Sequence, residues 1–471
     1  MAISIRTWPA RLVARPWLLA FVPINAATAG FGVVLPLLIL IPLHGNWADV
    51  ALAATLFNSA VILSSVAWGH LADRYHGRRL FLVLNYGGYA VLYLGLTQVG
   101  SLPLLYAIYT VIGFLAPAGA SASNLLILEK FPETERATAY ASFQEMSMIG
   151  SVAGLLIGYF WTAANDALLT LLYVLAALAA VSAIALWGAI REAKRRLSTA
   201  SVAKHPESLV SRLRISASFR IAIPFFPRRP RLGPAPLRRL RTWLSEEMHH
   251  ELPLVMGGIF LFNLASNLFN ISYTPYLYSV GLSISAIFLV NFGNNFAQVL
   301  VYPVSGRLAN RFGPDGLVRW STYLRSLGYL ATAGFTFVVL AHGDAFSANL
   351  IAFSVLGAAI AVYTVASSLI LFRGLEGRDA GGLLGVNSAL GGGAAVLGAA
   401  LSGVLAVYGS YRLVFLVAAG SLLASIPIWT AAGVAYRRRK HAAQSLVIGA
   451  AEPGLERTPP RSEPGPSAKP H

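Results

Sequence analysis

Two stripes of amide side chains stand out in an otherwise oily sequence. Asn263, Asn267 and Asn270 fall at i, i+4 and i+7, and Asn291, Asn294, Asn295 and Gln298 at i, i+3, i+4 and i+7; each set shares one face of a helix. Amides supply donors and acceptors without charge. That chemistry suits either recognition of a neutral hydroxylated or amide-bearing solute or hydrogen bonding between neighbouring helices. The first half of the chain has a thinner supply, in Asn25, Thr28, Asn85, Ser121, Ser123, Asn124, Gln144, Ser147 and Ser151. Glu145 and Arg325 are the two full charges set deep in apolar sequence. A lone carboxylate there would hold its proton tightly and could exchange it as its surroundings wet and dry, making Glu145 a proton-coupling site. Equally, Glu145 could be the ionised partner of Arg307, Arg311 or Arg325. Enzymatic chemistry finds no footing: there is no cysteine, no HExxH and no GxxxxGK[ST], and the histidines sit in breaks and tails. No catalytic residue, cofactor or metal site is expected; the adjacent His249-His250 reads as structural.

The elements carrying these residues must be membrane helices. Of 471 residues, 56% are hydrophobic and 12% charged, where a soluble protein carries about 25% charged. A spanning helix needs about 20 apolar residues, and twelve such stretches occur. Six run over 17–43, 49–72, 79–99, 102–128, 137–163 and 167–190, and six over 253–280, 284–306, 316–341, 346–372, 380–408 and 412–436. The organisation is a short N-terminus (1–16), a six-helix bundle (17–190), a central loop (191–252), a second bundle (253–436) and a proline-bearing tail (437–471) read as disordered. The first span reads as retained rather than as a cleaved signal. Arg191–Glu251 holds fourteen Lys/Arg against five Asp/Glu. The formal net charge of +17 reports topology and contact with anionic lipid headgroups, not nucleic acid. Basic residues fall almost wholly on alternate breaks, which predicts that both termini are cytoplasmic.

The two sixes are a repeat. Gly69-His70-Leu71-Ala72-Asp73-Arg74 and Gly306-Arg307-Leu308-Ala309-Asn310-Arg311 share a G-x-L-A-(D/N)-R core, each after the second helix of its six. With Gly77, Arg78 and Arg79 following, the first copy resembles the signature of the major facilitator superfamily between helices 2 and 3, although two residues, Tyr75 and His76, separate Arg74 from Gly77 where the family usually has one. Lys130-Phe131-Pro132 and Arg136 are a weaker echo before helix 5. The resemblance covers about residues 15–437. It implies an all-α integral membrane fold with twelve transmembrane helices in two pseudo-symmetric six-helix bundles.

The resemblance further assigns Gly69, Asp73, Arg74, Gly77 and Arg78, with Gly306, Asn310 and Arg311 in the second copy, to a conformational latch between the halves. Asn310 in place of the acid predicts a weaker second latch. It also places helices 1, 4, 7 and 10 along the path, which favours Asn25, Asn124, Asn263, Asn267 and Asn270 as cavity residues; Asn294 and Gln298, from the helix 8 stripe, complete the expected set. Gly150, Gly154 and Gly158 in helix 5 and Gly391, Gly392, Gly393 and Gly398 in helix 11 would lie where the halves meet. The proline that drug–proton antiporters carry in helix 5 is missing, as is their buried arginine in helix 4. The expectation is a plasma-membrane transporter of a small organic solute working by alternating access, with protons as a possible second cargo. The alternative is a transporter-like sensor whose basic central loop binds a partner or lipid.

Overall fold

The computed structural model describes residues 16–74, 78–130, 133–165, 167–190, 251–336, 342–375 and 380–451. Within hydrocarbon, backbone amides must be satisfied inside the chain, and helices do this segment by segment. Twelve long helices form, with no strand among the described residues. A 3-10 turn, Pro16–Phe21, leads into α1 (Val22–Leu40); α2 (Trp47–Arg74), α3 (Arg78–Leu96), α4 (Leu102–Lys130), α5 (Glu133–Ala164) and α6 (Leu168–Ala189) complete the first bundle. The second comprises α7 (Leu252–Ser279), α8 (Ile284–Phe312), α9 (Pro314–Phe335), α10 (His342–Leu375), α11 (Ala380–Tyr408) and α12 (Tyr411–Ala451). The central loop lies outside the described residues. So does the proline-bearing end, but the tail read as disordered from 437 begins as helix, because α12 runs on through the arginines to Ala451.

Eleven of the helices are long and apolar enough to cross a membrane, and α9 is the exception. Its composition is diluted by a polar face that points inward. Ser321, Thr322, Arg325, Ser326 and Thr332 are buried, whereas Trp320, Tyr323, Leu324, Leu327 and Leu330 face outward. That is the reverse of a soluble amphipathic helix, and it matches a surrounding solvent of lipid. The sharp break before α9 is made by Gly313, whose φ of +76° favours glycine, followed by Pro314 at the first turn.

The halves meet where α2 packs on α11 and α5 on α8. The glycine run of α5 divides its work. A methyl on Gly150 would strike the Val22 carbonyl at 2.5 Å and one on Gly154 the Ala26 carbonyl, both in α1; one on Gly158 would strike the Phe288 ring of α8. In α11, Gly392 and Gly403 face Ile62 and Ala51 of α2, while Gly398 faces the backbone of α7. A Cβ on Gly393 would meet nothing within 4 Å. Gly154→Ala should therefore lower stability by about 1–3 kcal/mol, the typical result of overpacking, while Gly393→Ala stays neutral. Thermal unfolding of the two purified variants checks this; equal midpoints would refute the packing argument.

Candidate functional site

The contacts that seal one end of the molecule converge on Trp47, the first residue of α2. Its indole N–H donates to Ser272 Oγ of α7 at 3.1 Å and reaches Ser402 Oγ of α11 at 3.4 Å, while the two hydroxyls bond each other at 2.7 Å. Its ring stacks on Tyr411 of α12 at 4.1 Å. Trp47, Ser272 and Ser402 are all buried. This network joins the first half to three helices of the second at the arginine-poor end. Toward the arginine-rich end, Gln144 and Glu145 of α5 and Leu300 and Val304 of α8 are exposed. Buried hydrogen bonds and ring stacking thus join the halves at the first end, while these four side chains are exposed toward the other.

Inside the first half, toward the arginine-rich end, lies a cavity of about 350 Å³ bounded by α1, α3, α4 and α5. Its hydrogen-bonding lining comes from Asn25, Thr28, Asn85, Tyr86, Tyr89, Ser123, Gln144 and Ser147. Several of these groups are fixed by backbone bonds. Asn25 Nδ2 donates to the Phe21 carbonyl at 2.8 Å, Ser123 Oγ to Gly119 at 2.8 Å, and Asn85 Nδ2 to Leu115 at 2.6 Å, which ties α3 to α4. Gly119 makes room for this last arrangement, since a methyl there would sit 2.5 Å from Asn85 Oδ1. The amide oxygens and phenols around the space are thereby held in place before any ligand arrives.

Of the expected cavity residues, only Asn25 lines this space. Asn124 belongs to α4, but its side chain lies outside the described residues. Asn263 and Asn267 sit on the α7 face against α11, close to Gly391 and Gly398, and Asn270 is exposed. Asn294 and Gln298 are turned away from the cavity: Asn294 Nδ2 donates to the Phe353 carbonyl of α10 at 2.7 Å and accepts from Gln298 Nε2 at 2.8 Å. Asn294 thus bridges α8 to α10, whereas Asn291 and Asn295 donate to carbonyls of α8 itself. Sequence reasoning undervalued the first half and missed Tyr86 and Tyr89, whose signal was the Asn85-Tyr86-x-x-Tyr89 spacing on one face of α3.

Glu145 is exposed on α5, next to the cavity-lining Gln144. Of the latch residues, Arg78 is buried at the start of α3, while Gly77 and the side chains of Asp73 and Arg74 lie outside the described residues. In the second copy Asn310 and Arg311 are exposed, and a Cβ on Gly306 would meet nothing within 4 Å among the described residues. An acid that the motif reading passed over works nearby: Asp315 forms a paired bridge with Arg373 at 2.8 and 2.9 Å, and Arg373 lies 3.6 Å over the Tyr436 ring. Burial opposes the charge on Arg373, but hydrogen bonds and the charge of Asp315 outweigh it and raise its pKa above the ordinary value.

A sequence profile described as Major Facilitator Superfamily matches residues 17–245 and 255–462. No curated protein matches the chain. Among solved structures, a single-residue variant of the nucleoside transporter NupG is similar at 13% identity, with 88% of this chain and 98% of that one covered and a TM-score of 0.64. An auto-inhibited POT family peptide transporter is similar at 12% identity, with 90% and 96% covered and a TM-score of 0.64. At such identities the likeness establishes the shared fold.

The Trp47 network is directly testable because the chain has no cysteine of its own. A single Ala51→Cys, buried at the α2–α11 seam, should react slowly with maleimide. Adding Trp47→Phe removes the indole donor and should speed labelling about fivefold, the equivalent of one net hydrogen bond. An unchanged rate would show that the network does not hold the end shut.

Proposed function

The chain belongs to the major facilitator superfamily of membrane transporters, and from that premise we propose that it moves a small organic solute by alternating access, recognising it mainly through uncharged hydrogen bonds. The cavity of about 350 Å³ carries this reading, since its lining holds amides, hydroxyls and phenols and, among the described residues, no Asp, Glu, Lys or Arg. Its volume lies within the range of small-molecule sites, roughly 300–1,000 Å³. A wet, uncharged cavity matches a solute with several hydroxyl or amide groups better than one with several charges. The solved nucleoside and peptide transporters named above have the same fold; a nucleoside-sized, hydrogen-bonding solute fits both the space and the lining.

The distribution of arginines supports an orientation with the arginine-rich end and both termini toward the cytoplasm, in a plasma-membrane setting. In that orientation we read the structure as inward-open. Alternation then requires the Trp47 network to part while the arginine-rich end closes. Closure would bring α5 toward α8, carry Glu145 from water into a drier setting, and engage the loop residues Asp73, Arg74 and Arg78 in a latch. Glu145 is on this reading the residue placed to take up a proton during the cycle.

Uptake of a solute library into proteoliposomes, with and without a pH gradient, tests the proposal. Asn25→Ala and Gln144→Ala should each raise the half-saturating concentration about 5- to 10-fold, as loss of one or two net hydrogen bonds does. Glu145→Gln should abolish gradient-driven accumulation while leaving exchange intact. Flux that ignores both the gradient and Glu145→Gln would make the protein a facilitator. Saturable binding without any flux would favour the sensing alternative.

A further inference from the structure

We propose that Arg325, together with the aromatic groups around it, forms a binding site for a single negative charge inside the second half, taking either a small monovalent anion or the carboxylate of a solute. Arg325 lies at the middle of α9 and is 3% exposed. The guanidinium donates from Nε to the Tyr329 phenol at 2.8 Å and from Nη1 to the Leu356 carbonyl at a long 3.5 Å. It also lies over the rings of Phe262 and Tyr329, 5.2 and 5.3 Å from their centroids. Aromatic faces attract a cation without neutralising it. Arg373–Asp315 and Arg439–Glu251, the ion pairs that described residues of this half make with each other, both leave Arg325 out. A cation so deep in hydrocarbon calls for a counter-charge.

A second observation points the same way. The Trp429 indole nitrogen of α12 is buried with no hydrogen-bond partner among the described residues, and the Tyr363 hydroxyl of α10 is buried with the Ser367 hydroxyl beside it. Tyr363 stacks at 3.3 Å on the Phe262 ring that Arg325 overlies, and Trp429 meets Tyr363 edge-on at 6.1 Å. Arg325 and Tyr363 thus both lie against Phe262, and the Trp429 indole adds an uncommitted donor next to Tyr363. Water could satisfy the hydrogen bonds but not the charge; an anion does both. One guanidinium among aromatic walls fits one negative charge and disfavours a doubly charged phosphate or sulfate.

The site does not depend on the transport reading, because binding reveals it without flux. Radiolabelled chloride and radiolabelled benzoate would be equilibrated with the full chain in neutral-lipid nanodiscs, at an ionic strength held by a bulky sulfonate buffer. The expected result is saturable binding near one per chain, weakened at least about tenfold by Arg325→Gln, as loss of a charge-assisted bond implies. Tyr363→Phe should weaken it by a smaller factor, and the exposed Arg437→Gln should leave it unchanged. Arg325→Lys should restore part of the affinity, which separates loss of the site from loss of the fold. Benzoate or acetate displacing chloride identifies a carboxylate as the natural ligand; chloride binding indifferent to both identifies a free halide. If neither probe binds saturably, or if Arg325→Gln binds as the unmodified chain does, the proposal is wrong.

Discussion

In hydrocarbon a polar group must find its partner within the protein, and this single constraint explains more of the structure than any individual contact. It turns α9 inside out, with serines, threonines and Arg325 inward and Trp320 and leucines outward. It also draws the α8 amides into bonds with each other and with α10. A second set of polar side chains lines the first-half cavity instead. The distinction between structural and solute-binding amides is therefore one of access, since both use the same chemistry.

The join between the halves follows a related logic. Lipid offers no hydrophobic drive for helix association, so close packing and a few hydrogen bonds must suffice. Glycines on α5 and α11 supply the close approach, and the Trp47, Ser272 and Ser402 cluster supplies the bonds. Because these bonds are few, the join can hold one conformation without making it permanent. Gly158 shows how fine the division is: eight residues after Gly150, it packs against the other half while its predecessors pack within their own.

Much of the architecture was legible in the sequence. Apolar runs marked the helices, and the G-x-L-A-(D/N)-R motif pointed to the family. The site was less legible. Counting amides favoured α7 and α8, but a linear stripe does not say whether its face meets water or another helix, and α8 meets α10. Conversely, the cavity draws on four helices, with one to three polar residues from each, and such a set has no period to detect. The extent of α12 was misjudged for a local reason: Arg437–Lys440 resemble the end of a span, yet good helix formers follow them and the helix continues.

That continuation has a mechanical corollary. At about 1.5 Å per residue, the stretch from Arg437 to Ala451 adds about 22 Å of helix to the rod that α12 forms. A rod rooted in one bundle acts as a lever. Were the second half to rock as the alternating-access proposal has it, small tilts of that bundle at the midplane would become larger sweeps at the tip, and the helix end at Ala451 would trace an arc.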